Sequence, residues 1–373
     1  MNTAEPPQGA NFGPSGGSEA HEPAGPSRGR ASESETRASS SEPRAWGDPT
    51  SDDRVAVVAV GGNALIRDDT HSALNDQYDA VCATAEHIVD MVAAGYQVVV
   101  THGNGPQVGF ILRRSEIADG QVPTVPVRYA VGDTQGAIGF MFQNALGNAL
   151  RRRGIDKRVA TVVTQTLVDG NDPAFAHPDK PIGSFMTEDV ARRLAQQLGW
   201  SIMQDSNRGW RRAIASPKPL RIVETRIIAK LARDGVLVIA CGGGGIAVTE
   251  TPDGQLTGAE AVVDKDRASA LLAIDMNADL LMIPTGVERV AIRFGQPDQR
   301  WLDRIGIDEA ERYAAEGHFG EGSMRPKVEA LLTFVKRRRG GRGVITNPEN
   351  IARALRGETG TWIVASEAVE IPA

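Results

Sequence analysis

The sequence predicts an α/β protein built on an open, mainly parallel, twisted sheet with helices on both faces. Three observations predict it. Apolar, β-branched runs recur along the chain (Val55–Val60, Tyr96–Thr101, Val236–Ala240), and each leads into a glycine-rich turn: Gly61-Gly62-Asn63, His102-Gly103-Asn104-Gly105 and Gly242-Gly243-Gly244-Gly245. Segments with helical spacing lie between them, and continuous apolar runs mark strands buried on both faces of a parallel sheet. Glycine turns at strand ends let backbone N–H groups approach an anion, and a helix start just after the turn adds partial positive charge. Phosphate is therefore the ligand class they suggest.

The elements follow in order. Val55–Val60 opens the domain, and Asp76–Ala94 has apolar residues at helical spacing (Val81, Ile88, Val92) and stops at Gly95, a residue suited to the left-handed position after a helix. Tyr96–Thr101 repeats the strand, and a helix runs on from Val108 to Ile117. Two successive strand–turn–helix units imply right-handed crossovers, with ligands beyond the carboxyl ends of the strands. Asp133–Arg152 reads as a long helix and Arg158–Thr166 as a strand. The alternation then breaks into turn-rich chain around one helix capped by Thr187, so residues 165–222 are expected to form a small protruding lid carrying Lys180 and the run Arg208–Arg212. Beyond it come a helix (Glu224–Asp234), a strand (Val236–Ala240), a helix (Arg267–Met276) and strands at Leu280–Pro284 and Val287–Phe294. Helices at Asp308–Ala315 and Arg325–Arg338 and closing strands at Gly343–Thr346 and Thr361–Val364 complete the reading.

Before Val55 the chain has no Leu, Ile, Val or Tyr and is rich in Ser, Pro, Gly, Glu and Ala, so residues 1–53 are expected to be a disordered tail. This segment lacks the apolar stretch of a secretory signal, and its acidic residues argue against an organelle transit peptide. The two cysteines, Cys82 and Cys241, make neither a disulfide framework nor a metal motif, which points to the cytoplasm. A formal net charge of −6 argues against nucleic acid as partner, and no apolar run approaches bilayer length. The remaining 320 or so residues, 54–373, suffice for one large domain, with a soft boundary near 220–235 separating an N-lobe (54–230) from a C-lobe (231–373).

No G-x-x-x-x-G-K-[S/T] run occurs, and the first turn lacks G-x-G-x-x-G spacing, so neither common phosphate motif is present. What remains is three glycine turns and three lysines in unusual company: Lys180 before a proline, Lys265 between Asp264 and Asp266, and Lys327 in Met324-Arg325-Pro326-Lys327. Phosphoryl transfer needs this kit, because its catalysis is mostly positioning and charge neutralisation. Each of these features also has an ordinary explanation. A glycine turn alone is usually just a tight turn, a lysine beside proline usually faces solvent, and His102 most simply makes a structural hydrogen bond. His177 and His318 have no ligand partners at useful spacing, so no metal site is expected from the protein.

Nine ordered segments carry a specific resemblance: Val60–Ala64, Thr101–Gly109, Asp133–Gly136, Lys180–Gly183, Arg208–Arg211, Ser216–Pro219, Cys241–Ile246, Val263–Asp266 and Gly317–Lys327. From about Val55 to Val364 the chain closely resembles the carbamate kinases, which have the amino-acid kinase fold. The resemblance implies in-line phosphoryl transfer between ATP and carbamate, giving ADP and carbamoyl phosphate, with Mg²⁺, in a homodimer, and chiefly to make ATP in arginine breakdown. It implies that Gly61, Gly62, Asn63, Gly103, Asn104 and Gly105 hold the phosphoryl group and carbamate, with Gly243 and Gly244 on the floor of that site. Lys180 would close over carbamoyl phosphate, Lys265 would offset charge on the phosphoryl in flight, Asp266 would orient the lysines, and Lys327 would grip the nucleotide phosphates. The nucleotide is expected against Thr285, Gly286, Val287, Phe294, Pro297 and Met324.

Two departures stand out: Ala247 where the family has proline, and Gln296 where it has lysine. The second bears on nucleotide affinity, while the lysines are untouched and catalysis is expected to survive. The alternatives are another acyl kinase of the same fold acting on a larger acceptor, and a catalytically weak nucleotide-binding relative that signals through its tail.

Overall fold

The computed structural model describes residues 54–62, 65, 73–205 and 209–365. The N-terminal tail, Asn63 and Arg208 lie outside them. The chain runs through β1 (Arg54–Val60), α1 (Leu74–Ala93), β2 (Tyr96–His102), α2 (Gly105–Ile117), α3 (Val127–Arg152), β3 (Val159–Thr161), β4 (Gln165–Val168), β5 (Lys180–Met186), α4 (Glu188–Leu198), β6 (Ser201–Gln204), β7 (Trp210–Ile214), β8 (Pro219–Ile222), α5 (Thr225–Arg233) and β9 (Leu237–Ile239). It continues through β10 (Ile246–Glu250), β11 (Leu256–Val262), α6 (Lys265–Asp275), β12 (Leu280–Pro284), β13 (Val290–Ile292), β14 (Arg300–Leu302), β15 (Arg304–Gly306), α7 (Ile307–Ala315), α8 (Met324–Arg337), β16 (Arg342–Thr346), α9 (Ile351–Leu355) and β17 (Thr361–Val364).

Eight strands form the main sheet in the order β15-β17-β16-β12-β1-β2-β9-β3. From β16 to β3 all are parallel, while β17 pairs antiparallel with β16 and β15 runs with β17. Strand β9 inserts between β2 and β3, so strands before and after residue 231 interleave across the sheet.

Side-chain alternation explains the three layers. In β1, Ala56, Val58 and Val60 belong to the core formed with α1, α3 and α9, which includes Ile88, Phe142 and Ile351. Val57 and Ala59 belong to the opposite core, with Ile228 of α5, Leu272 of α6, Ala310 of α7 and Phe334 of α8. Residues 56–60 have no exposed surface, as the unbroken apolar run requires.

The predicted Arg158–Thr166 strand divides in two. Pairing with β9 ends as Val162 N donates to Ile239 O at 2.9 Å, and buried Thr164 then turns the chain, its Oγ accepting Cys241 N at 3.0 Å. From Gln165 onward the chain belongs to a second sheet, β11-β10-β4-β8. Strands β4 and β8, which bound the segment 165–222, pair with each other, and the chain between them folds as the antiparallel sheet β5-β7-β6 beside α4. Thr187 occupies the N-cap of α4 but its side chain makes no capping bond. Helix α3 starts six residues before the expected Asp133, directly after extended Pro126, and only Val290–Ile292 of Val287–Phe294 is strand. Among the described residues no helix is long and apolar enough to cross a membrane.

Candidate active site

The parallel pairing of β1, β2 and β9 brings the three glycine turns to one sheet edge. Gly103 N donates to Val60 O at 3.0 Å, and a Cβ on Gly103 would stand 3.0 Å from Gly62 N, so the first two turns lie backbone to backbone. The third turn packs under the second. Gly243 has φ +65°, and a Cβ there would fall 2.1 Å from Asn104 Nδ2. The Asn104 amide is held in turn, donating to Thr134 Oγ1 at 2.7 Å, while its residue sits at the N-cap of α2. Gly105 begins that helix and faces open space. A Cβ on Gly244 would meet Val263 O at 2.4 Å, which ties the third turn to the segment bearing Lys265.

At that junction α6 begins, and its first residues form a charge cluster. Asp264 caps the helix through Oδ1, which accepts Asp266 N at 2.9 Å and Arg267 N at 3.1 Å. Its other oxygen, Oδ2, takes Lys180 Nζ at 3.3 Å from β5. Lys265 Nζ donates to Ala59 O at 2.8 Å, two residues before the first glycine turn, and lies 2.7 Å from Asp266 Oδ1. Lys327, in the first turn of α8, donates to Asp266 Oδ2 at 2.9 Å. Asp266 Oδ1 is buried without an aligned hydrogen-bond donor, so the Lys265 contact is a charge contact.

Burial alone would raise the Asp266 carboxyl, but the Lys265 and Lys327 ammonium groups outweigh it and hold the group below the usual carboxylate range. Burial, with Lys327 adding repulsion, pulls Lys265 below the ordinary lysine range against the attraction of Asp266. The result is two cations sharing one buried anion, an arrangement that can receive further negative charge. Helix N-termini of α2, α6 and α8 open onto the same region.

His102 lies beneath the turns. Its Nδ1 is 3.0 Å from Gly103 O, its ring stacks on Phe142 at 5.9 Å, and a Cβ on Gly242 would come within 2.6 Å of Nε2. Burial lowers its pKa to about 4, so the neutral ring donates from Nδ1 to the carbonyl, the structural role expected of it.

Beside the cluster opens a cavity of about 690 Å³, within the range of small-molecule sites. Gly61, Gly62, Thr285, Gly286, Met324 and Lys327 line it together. Val287, Phe294 and Pro297 do not: Phe294 is 70% exposed and meets Trp301 edge to face at 6.5 Å. Gln296 is likewise exposed, and Ala247 is buried in β10. Sequence reasoning passed over Thr84 and His87 of α1 and the run Asn347-Pro348-Glu349, which line the cavity. A signal existed for the last: Asn347 follows β16 as the glycines follow β1, at the same sheet edge.

Among the described residues no group of three or more His, Cys, Asp or Glu side chains is placed to hold a metal ion, and Asp264 and Asp266 are both engaged by lysine. Kinases commonly hold Mg²⁺ between substrate phosphates and one or two carboxylates, and Asp264 and Asp266 are the carboxylates at the start of α6 that stand beside the lysines.

A model described as the amino acid kinase family matches residues 54–347. The carbamate kinase-like protein YahI of Escherichia coli is 49% identical over 314 residues, covering 83% of this chain and 98% of that protein. The carbamate kinase of Thermococcus kodakarensis is 46% identical over 311 residues, covering 83% and 98%. Among solved structures, carbamate kinase from Giardia lamblia bound to AMP-PNP superposes with a TM-score of 0.79 at 39% identity, covering 84% of this chain and 99% of that one. With the turns and lysines assembled as they are, the chain belongs to the amino acid kinase family, in its carbamate kinase branch.

Proposed function

We propose that the protein catalyses reversible phosphoryl transfer between ATP and carbamate. The observation that carries the proposal is the buried Lys265–Asp266–Lys327 cluster, fixed at one edge of the cavity by the Lys265 bond to Ala59 O. In the forward direction a carbamate oxygen attacks the γ-phosphorus, the new O–P bond forms as the bond to the β–γ bridging oxygen breaks, and ADP leaves. No protein nucleophile is required. Lys265 neutralises charge on the transferring group, Lys327 holds the nucleotide phosphates, and Asp266 keeps both ammonium groups aimed before substrate arrives. Lys180 reaches the same place from β5 and exchanges Asp264 for the carbamoyl phosphate oxygens. The glycine turns supply backbone N–H groups to the reacting phosphoryl and carbamate. Mg²⁺ bound to the nucleotide phosphates would supply the remaining charge neutralisation. The names of the relatives support the choice of carbamate. The resemblance extends the reading to a homodimer that makes ATP from carbamoyl phosphate during arginine breakdown in the cytoplasm.

The test is ATP formation from ADP and an acyl phosphate panel, with Mg²⁺ present or withheld. Carbamoyl phosphate is expected to be the preferred donor, with activity requiring Mg²⁺. Faster turnover of a larger acyl phosphate would replace carbamate as the acceptor, and no ATP from any donor would overturn the proposal.

A further inference from the structure

A second cavity, of about 260 Å³, lies between α2 and the β5-β7-β6 sheet with α4. One side of its wall is apolar, from Leu112 of α2, Ile182 and Met186 of β5, and Val190 and Leu194 of α4, while the mutually paired Arg113 and Glu116 of α2 also line it. Trp200 and Arg212 close one side, with the guanidinium 4.8 Å over the indole ring. Arg212 is largely withdrawn from water, and burial pulls its pKa below the ordinary arginine range. The acids whose charge reaches it are both occupied elsewhere. Glu116 pairs with Arg113 at 3.3 Å, and Glu260 binds Arg128 and accepts Val127 N at 2.9 Å. Among the described residues, Arg212 has no carboxylate within ion-pair reach: Glu116 and Glu260 act on it only at a distance, and the guanidinium's close contact is the indole face. Leaving a charge so placed is costly unless something pairs with it.

We infer that this chamber is a binding site for a small apolar monocarboxylate, its carboxylate on Arg212 and its hydrocarbon body against Trp200 and the aliphatic wall. One guanidinium without an acid calls for one negative charge, and its planar fork suits a carboxylate bidentately. The volume admits a body of roughly ten heavy atoms and no nucleotide.

Position gives the site a consequence. Its walls belong to the two elements that carry the second glycine turn and Lys180: α2 starts at Gly105, and β5 starts at Lys180. These elements touch at Gly109 and Gly183, where a Cβ on Gly109 would lie 3.2 Å from Gly183 Cα. A ligand wedged beside that contact sets the angle of β5 to α2, and with it the reach of Lys180. This coupling rests on the phosphoryl-transfer reading above, whereas binding itself does not.

The experiment is isothermal titration of the full chain with 3-phenylpropionate and with 3-phenylpropionamide. The acid is expected to bind with 1:1 stoichiometry, and the amide at least about tenfold more weakly. Arg212→Gln should remove the preference for the acid, and Val190→Trp, which fills the chamber and leaves the guanidinium alone, should abolish binding of both. Circular dichroism and melting temperature confirm that each variant is folded. Equal binding of acid and amide, or binding that survives Val190→Trp, would overturn the site. With saturating acid the KM for carbamoyl phosphate should move at least threefold at similar kcat. Binding with unchanged KM overturns the coupling, and an enzyme with no activity at all fails the earlier reading while leaving the titration interpretable.

Discussion

Lys327 and Asp266 are 61 residues apart in sequence, and their side chains meet at 2.9 Å in the interior of the site. The contact fastens the first turn of α8 to the first turn of α6, so the two helices present their N-termini to one place. Replacing Asp266 with Asn leaves two buried ammonium groups facing each other without an anion. Removing one partner of a buried pair costs about 3–5 kcal/mol, so the ligand-free variant should melt well below the parent protein. ADP supplies the missing negative charge, and it should raise the melting temperature more in Asp266→Asn than in the parent. Equal ADP-induced shifts would show that the carboxylate does not organise the lysines.

Lys265 places its charge between Ala59 O and Asp266, next to the first glycine turn. Lys265→Ala should lower kcat/KM for carbamoyl phosphate by about 10³-fold or more, about 4 kcal/mol of lost transition-state stabilisation, with an unchanged circular dichroism spectrum. Near-parental kinetics would remove Lys265 from the mechanism.

At Gly243 two effects coincide, a backbone at φ +65° and an Asn104 amide 2.1 Å from where a Cβ would stand. Gly243→Ala should destabilise the fold by about 2–3 kcal/mol in urea unfolding. Because the three atoms nearest that Cβ all belong to the Asn104 side chain, Asn104→Ala should recover part of the loss in the double variant. Strict additivity of the two losses would mean the turns do not touch as described.

His102 links the turns to pH. Its folded pKa of about 4 lies below the ordinary value of 6.5, so the unfolded chain binds the proton more readily. The neutral ring's contribution is complete above pH 6.5 and is lost as pH falls from there toward 4, up to about 3 kcal/mol. Urea unfolding of the parent and His102→Gln at pH 7.5 and pH 5 tests the sign. The parent should lose more stability on acidification than the variant, and the opposite order would place a charged imidazole in the fold.

Much of this architecture was legible because parallel strands declare themselves. Val55–Val60 is apolar at every position since both faces are covered, and Gly95 marks the end of α1 with φ +86°. The lysines were legible from their neighbours, Lys265 above all from its two aspartates. What stayed hidden depended on distance in sequence. Nothing near Thr164 announces that the chain changes sheets there, because the partners that turn it, Gln135 and Cys241, lie 29 and 77 residues away. Thr84 and His87 look like ordinary positions of an amphipathic helix until α1 is laid along the cavity. Phe294 shows the converse: the resemblance places it at the nucleotide, whereas its ring meets Trp301 at the surface, outside the lining of the cavity.

The insertion of β9 between β2 and β3 has a consequence for synthesis. A nascent chain released from the ribosome tunnel as far as β8 already carries β2 and β3, yet neither can be completed until Leu237–Ile239 emerges to pair with Val99–Val100 on one side and Val159–Thr161 on the other. For that interval two apolar strand edges stand open, the kind of edge that invites intermolecular pairing. Translation pausing before codon 237 should therefore raise the demand for chaperones, and fragments cut short there should aggregate while chains extended past β9 remain dispersed.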